Sequence, residues 1–72
     1  MVNTELLEKK IRESGKKKGY LAKKCGLSPA GFRNCCINVA EFKASQITIL
    51  CVELHIRDVT ERMAIFFADK GA

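Results

Sequence analysis

A sequence signal that ends a helix and one that begins a helix lie close together in the middle of this chain. Gly26 tolerates the positive φ that a helix end often needs. Ser28 followed by Pro29 combines a hydroxyl cap with a residue whose fixed φ suits the first position of a helix. The segment therefore predicts two short helices bent sharply around Gly26. The apolar side chains of both helices must then face the inside of the bend.

The composition restricts what can surround this bend. A chain of 72 residues builds one hydrophobic core, and we expect a single domain spanning residues 1–72. Its 47% hydrophobic and 29% charged residues are typical of a folded soluble protein. No apolar run approaches the roughly 20 residues that cross a bilayer, and the N-terminus does not resemble a secretory signal. These features predict a cytoplasmic protein.

Helical periodicity predicts three further helices. The first begins near Thr4, whose hydroxyl is the expected cap, and ends at Gly15. Ser45 is the expected cap of a fourth helix and Asp58 that of a fifth, whereas residues 38–43 form a connecting loop. The apolar stripes of these helices are Leu6, Leu7 and Ile11 in the first, Ile47, Leu50, Cys51 and Leu54 in the fourth, and Val59, Met63, Phe66 and Phe67 in the fifth.

Two segments allow a second interpretation. The run from Gln46 to Val52 is β-branched enough for a strand, although its spacing over a longer window favours a helix. Phe66 and Phe67 belong either to the last layer of the core or to a surface that binds a partner or a second copy.

The four cysteines do not have the spacing of a metal site. No Cys-x-x-Cys pair exists, and the adjacent Cys35 and Cys36 would point about 100° apart on a helix. His55 adds no convincing further ligand. We expect reduced thiols packed as small apolar side chains, and no cofactor. No nucleophile is paired with a base and no glycine loop suits a phosphate, so the sequence predicts neither an enzyme nor a small-molecule substrate.

The net charge of +5 favours an acidic partner, such as nucleic acid, an anionic membrane or an acidic protein surface. The cations crowd the middle of the chain, at Lys16, Lys17, Lys18, Lys23, Lys24 and Arg33. A membrane is the weaker candidate, because the lysines do not lie opposite a long apolar face. For each lysine, a solvated position that keeps the protein soluble remains the alternative.

Residues 18–37 have the layout of a helix-turn-helix unit. Ala22 is a small residue at the point where the two helices touch, and Gly26 is the turn residue. Apolar side chains that can fill the angle between the helices occur at Leu21, Cys25, Leu27, Phe32 and Cys35.

The segment Leu21-Ala22-Lys23-Lys24-Cys25-Gly26-Leu27-Ser28 closely resembles the Leu-Ala-x-x-x-Gly-Leu-Ser core of the Cro/CI family of phage and bacterial repressors. The resemblance extends from Leu6 to Leu54-His55-Ile56, which is similar to the family's Leu-Gly-Val ending. It implies an all-α, compact five-helix domain of the lambda-repressor-like helix-turn-helix type, whose third helix normally enters the major groove of DNA.

By position, the resemblance implies that the residues binding a partner or DNA include Ser28, Pro29, Ala30, Arg33, Asn34 and Ile37. The neighbouring cations Lys17, Lys18 and Lys23 add positive charge to this set. Lys18 replaces a glutamine that is common at the start of the family's second helix, so a specific amide contact becomes a point charge.

The third helix departs from that of a good operator reader. Base reading relies on bidentate side chains, and its first turn offers Pro29, Ala30 and Gly31 instead. Only Arg33 and Asn34 are suited to reading bases. Small residues beside an arginine are better suited to close contact with another protein.

The chain is also similar in size and pattern to the small modulator-of-repression proteins, or anti-repressors, of lactococcal temperate phages. The resemblance implies a genetic-switch regulator that binds the DNA-binding domain of the phage repressor and modulates or blocks its operator binding, with DNA contact possible in the joint complex. The alternatives are a conventional Cro-like repressor that binds operator DNA as a dimer, and an antitoxin-like or structural interaction module.

Overall fold

The computed structural model describes residues 1–68, which contain five α-helices and no strand. The helices are α1 (Thr4–Ser14), α2 (Lys18–Lys24), α3 (Pro29–Cys36), α4 (Ala44–Glu53) and α5 (Val59–Phe66). The all-α architecture predicted from the sequence is confirmed. The alternative of a strand at residues 46–52 is wrong, since this segment belongs to α4. Residues 38–43 form the predicted loop.

The turn after α2 closes the end of that helix with two hydrogen bonds. Gly26 has a φ of +72°, and its N–H donates to the Lys23 carbonyl at 3.0 Å. The next N–H, of Leu27, reaches back to the Ala22 carbonyl at 2.9 Å. This pair of bonds is a Schellman motif, which satisfies carbonyls that a helix end would otherwise leave open. The predicted bend at Gly26 is therefore confirmed.

The ends of α3 and α4 have the same motif on residues other than glycine. Asn38 follows α3 with a φ of +68°, and the next N–H, of Val39, donates to the Asn34 carbonyl at 2.8 Å. After α4, His55 has a φ of +58°, and the Ile56 N–H donates to the carbonyl of Cys51 at 2.8 Å. Asparagine and histidine both adopt this left-handed conformation more readily than most residues, although glycine adopts it most easily.

The helices surround one apolar core. The largest side chains that are completely buried are Phe32, Leu7, Leu21, Leu50 and Ile65. Three aromatic rings connect the loop before α4 to two helices: Phe42 packs edge to face against Phe32, at 5.8 Å between centroids, and against Phe66 at 6.1 Å. Each edge-to-face contact of this kind contributes about 0.5–1.5 kcal/mol beyond the stabilisation that comes from burying its apolar area. Phe66 is therefore in the core, as one of the two interpretations had it.

The N-terminal segment is held over this core by hydrogen bonds to its backbone groups. The Asn38 side chain binds both polar groups of Val2, accepting from its N–H at 2.7 Å and donating to its carbonyl at 2.9 Å. The Asn3 N–H donates to the carbonyl of Ile65 at 2.7 Å. The last turn of α5 thus lies against the start of the chain.

The predicted apolar stripes are correct for α4 and only partly correct elsewhere. In α4, Ile47, Leu50, Cys51 and Leu54 are all buried. Leu6 of α1 is exposed, although Leu7 and Ile11 are buried as expected. In α5, Val59 and Met63 are exposed, so this part of the predicted stripe is wrong. Phe67, just after α5, is 42% exposed, which agrees with the interpretation that placed it at the surface. The packing of α5 against the N-terminal segment turns Ile65 inward instead.

The cap of α1 is Asn3 and not Thr4. The Asn3 side chain accepts a hydrogen bond from the Leu6 N–H at 3.1 Å. The Thr4 hydroxyl donates to the carbonyl of Cys36 at 2.9 Å, which ties α1 to the end of α3. The expected cap was wrong because this tertiary bond occupies the threonine hydroxyl.

The cap of α4 also differs from the prediction, since Ser45 lies inside the helix and is exposed. Gln46 takes over part of this role: its side-chain oxygen accepts from the Lys43 N–H at 2.8 Å. Its amide nitrogen donates to the Cys25 carbonyl at 3.2 Å, so this buried side chain also joins α4 to the end of α2. The predicted caps Ser28 and Asp58 are confirmed, each accepting from a backbone N–H at 3.0 Å.

We expect the same substitution at two glycines to have opposite effects on stability. Gly26→Ala should lower the free energy of unfolding by about 1–2 kcal/mol, because a Cβ opposes the left-handed conformation. Gly19 lies within α2, where an added Cβ would meet no atom within 4 Å. Gly19→Ala should therefore raise the free energy by up to about 1 kcal/mol. Urea unfolding followed by circular dichroism measures both, and equal effects would contradict the assigned turn.

Candidate interaction surface on the third helix

The third helix exposes one side because the other side fills the core. Phe32 and Cys35 are buried beneath it. Ala30, Arg33 and Ile37 recur at helical spacing on the opposite side and are exposed, Ile37 to 42%. We call the exposed residues of this side the α3 surface, which consists of Pro29, Ala30, Arg33 and Ile37.

Two other residues of the predicted set have structural roles at the ends of α3. The Ser28 hydroxyl oxygen accepts a hydrogen bond from the Gly31 N–H and so caps the start of α3. Asn34 is half-buried. Its backbone carbonyl accepts hydrogen bonds from two N–H groups of the following turn, from Val39 at 2.8 Å and from Ala40 at 3.1 Å. Ser28 therefore serves as the cap of α3, and Asn34 is less exposed than the four residues of the α3 surface.

A groove of about 310 Å³ runs along the α3 surface where α3 faces α2 and α1. Its wall includes the buried Phe32 and Cys36. Arg33 and Ile37 border it on the α3 side, and Gly19 borders it on the α2 side. The groove therefore combines an apolar wall with a cation at its edge, an arrangement that suits a side chain of a partner protein.

Lys18 reaches the same groove but is paired. Its ammonium lies 2.8 Å from a carboxylate oxygen of Glu8 in α1. An exposed ion pair of this kind contributes little to stability. It does place a carboxylate beside the lysine, which weakens the attraction of Lys18 for a phosphate. The predicted point charge at this position is thus largely compensated.

Lys16 binds Glu53 at the end of α4. Its ammonium donates to the Glu53 carboxylate at 2.9 Å and to the Glu53 carbonyl at 2.8 Å. The Tyr20 hydroxyl donates to the same carboxylate at 3.1 Å, and the Lys24 ammonium lies 5.9 Å from the centre of the Tyr20 ring. The hydrogen bond from Lys16 is the main cause that lowers the pKa of Glu53 below its ordinary value of 4.5, and Tyr20 acts in the same direction.

The remaining cations of the predicted set are separated by the fold. Within residues 1–68, Lys17, Lys23 and Arg33 are exposed and form no ion pair. Lys23 lies along a different groove, between α2 and α4. Of the three predicted lysines, the structure places only Lys18 in the groove beside the α3 surface.

Sequence reasoning did not identify Glu8 or Gly19 as part of this groove. Glu8 lies ten positions before Lys18, so their contact depends on how α1 crosses α2. A carboxylate within a helix gives no signal of a partner on another helix. Gly19 precedes the recognised Ala-x-x-x-Gly pattern and likewise gave no sign of facing a groove.

All four cysteines are buried free thiols, as predicted. Burial raises the pKa of each thiol, that of Cys36 to about 12. In the part of the chain that the structure describes, no cluster of cysteine, histidine and acidic side chains has the arrangement of a metal site. Over the same residues, every helix is too short or too polar to span a membrane.

No family model, curated protein or solved structure matches this chain.

We expect Lys16→Met to raise the pKa of Glu53 towards 4.5, because the main hydrogen bond that holds its carboxylate charged is removed. The stability difference between the two proteins should be largest near neutral pH, where Glu53 is charged in both folded and unfolded chains. It should shrink as the pH falls through the lowered pKa of Glu53 in the folded protein. An NMR titration of the carboxylate and unfolding at several pH values measure both effects. Lys17→Met is the matched control, and an unchanged Glu53 pKa in Lys16→Met would contradict the ion pair.

Proposed function

We propose that this chain regulates a phage genetic switch by binding the lysogenic repressor and modulating or blocking its operator binding. The observation that carries the proposal is the α3 surface. Its small residues permit close approach, Arg33 has no ion-pair partner within residues 1–68, and Ile37 is exposed beside a groove. Exposed arginine and apolar side chains around a groove are the kind of anchors that dominate protein interfaces.

We further propose that the fold is of the lambda-repressor-like helix-turn-helix type. The Schellman turn at Gly26 and the burial of the small residue Ala22 in α2 support this assignment. His55 gives independent support. The resemblance to Cro/CI repressors places it where that family has glycine, and its φ of +58° is a conformation that glycine adopts most readily.

Several features of α3 favour a protein partner over autonomous reading of operator DNA. Pro29 and Ala30 at the start of the helix have no side chain that can pair with a base edge. Asn34 is half-buried, which leaves Arg33 as the one well-exposed side chain on α3 that can form a bidentate contact with a base. A single such contact is worth about 1–3 kcal/mol of discrimination, too little for a specific operator reader.

The mechanism that we propose is occlusion. A protein that covers the recognition helix of the repressor keeps its cations away from the phosphates, which supply much of the affinity for DNA. Repressor and modulator would then meet through complementary helices, in the cytoplasm of the bacterial host. The function requires no catalysis and no cofactor. The exposed Lys17 would be available to contact DNA in the joint complex.

A conventional Cro-like repressor that binds operator DNA as a dimer is the second candidate. The exposed cations Lys17, Lys23 and Arg33 favour it, since none of them forms an ion pair within residues 1–68. Unpaired cations are free to release counterions from a phosphate backbone.

Titration of the purified chain against operator DNA, alone and with its cognate repressor, separates the two candidates. The proposal predicts weak binding by the chain alone, a stoichiometric complex with the repressor, and loss or change of repressor binding to the operator. Tight binding by the chain alone, with a steep dependence on salt, would support the Cro-like alternative instead. Absence of a complex with the repressor would reject the proposal.

Arg33→Ala should weaken the complex with the repressor about tenfold or more, because the exposed guanidinium contributes at the interface. The free energy of unfolding should change by less than about 0.5 kcal/mol, since Arg33 is exposed and has no ion pair within residues 1–68. Isothermal calorimetry and thermal unfolding provide the two readouts. Arg12→Ala, an exposed arginine on α1, is the control and should bind as the unmodified chain does. Equal losses of stability and affinity in Arg33→Ala would show Arg33 to be structural.

A further inference from the structure

A second exposed strip lies on α4, away from the α3 surface. Val52 is 67% exposed, and Thr48, one turn earlier, is also exposed. Ile49 is half-buried beside them, with its other side against the core. We call these three residues the α4 strip.

A groove borders the α4 strip on each side. The first, of about 330 Å³, is bordered by Arg57, in the loop before α5, and by Arg62, within α5. The second, of about 450 Å³, lies between the strip and α2, and Lys23 and Lys24 border it. The buried thiol-bearing Cys51 and the buried Ile56 contribute apolar wall to the first groove.

Most of the charged residues that border the two grooves are cations. Glu53 is the one acidic residue that borders either groove among residues 1–68. Its carboxylate is already bound by Lys16 and Tyr20. On α5, Glu61 is paired with Lys10 of α1 at 3.0 Å. Lys24 is near enough to Glu53 to lower its pKa, and its ammonium lies over the Tyr20 ring. Lys23, Arg57 and Arg62 form no ion pair within residues 1–68 and therefore present their charge to a partner.

We propose that the α4 strip and its two grooves bind an acidic amphipathic helix of another protein. An exposed valine beside a half-buried isoleucine, with cations on both sides, is complementary to a helix whose apolar stripe has carboxylates on both sides. Val52 would insert between apolar side chains of that helix, while Arg57 and Arg62 on one side and Lys23 and Lys24 on the other would meet its carboxylates. This site lies beyond the function proposed above and does not depend on it.

Charge argues against two other occupants. A second copy of this chain docked through the same strip would bring the cations of one copy against those of the other, which is unfavourable. Duplex DNA would match the cations, but it would place a phosphate backbone over the exposed Val52, which has no polar group to offer. An acidic helix satisfies both the apolar centre and the charged borders.

The test uses the whole chain, labelled with ¹⁵N, and a synthetic helical peptide of about four turns. The peptide carries leucine at i, i+3, i+4 and i+7, glutamate on both flanks and alanine on the outer side; a second peptide has glutamine in place of every glutamate. The glutamate peptide should shift amide signals of α4 and of residues 56–62. It should bind about tenfold more tightly than the glutamine peptide at low salt, and this preference should diminish as salt is added.

Two surface valines provide matched variants. Val52→Glu should weaken binding of the glutamate peptide about tenfold or more, because it replaces the apolar centre with a like charge. Val59 is 71% exposed and borders neither groove, so Val59→Glu, with the same change of charge, should bind within about twofold of the unmodified chain. Arg33→Ala should also leave binding of the peptide unchanged, which separates this site from the α3 surface.

A variant that changes charge alone covers the case in which Val52→Glu does not fold. Replacing both Arg57 and Arg62 with glutamine should reduce the preference for the glutamate peptide over the glutamine peptide. Equal affinity for the two peptides, amide shifts confined to α3, or equal losses in Val52→Glu and Val59→Glu would overturn the proposal. Preferential binding of duplex DNA through α4, or self-association through α4 without peptide, would also overturn it by identifying a different occupant.

Discussion

The left-handed turn at Gly26 is the constraint on which the rest of the structure depends. Helices of 7 and 8 residues are unstable alone and persist here because the turn packs α2 directly against α3. The turn satisfies carbonyls at the end of α2 and bends the chain between the two helices. Asn38 after α3 and His55 after α4 form turns of the same kind. Each helix therefore presents its apolar side to the same core, and the opposite side of α3 is left exposed.

Ion pairs between helices decide which cations of this basic chain face outward without a partner. The Lys16–Glu53 pair joins the turn before α2 to α4. The Lys18–Glu8 pair joins α2 to α1. Pairs at the surface add at most about 1 kcal/mol each to stability. Their larger effect is on the charge that remains. Arg33 beside one groove, and the arginines and lysines beside the α4 strip, form two separate positive surfaces suited to different partners.

Much of the fold could be predicted from the sequence because its signals are local. Gly26, Ser28 and Pro29 specify a turn and a helix start through their own backbone preferences. Helical spacing correctly identified the buried side of α4, where the apolar residues are continuous. The prediction failed where side chains make distant hydrogen bonds. Thr4 was expected to cap α1, but its hydroxyl binds a carbonyl of α3, and Gln46 rather than Ser45 organises the start of α4.

The sequence by itself determined the number of helices, the bend between α2 and α3, and the exposure of Arg33 and Ile37, because these follow from backbone preference and helical period. Tertiary structure alone decided the rotation of α5, which buries Ile65 and exposes Val59, since the N-terminal segment packs against its last turn. It also decided the charge of the two surfaces. Contacts such as Glu8 with Lys18 join residues on different helices, and their spacing along the chain carries no information about how those helices cross.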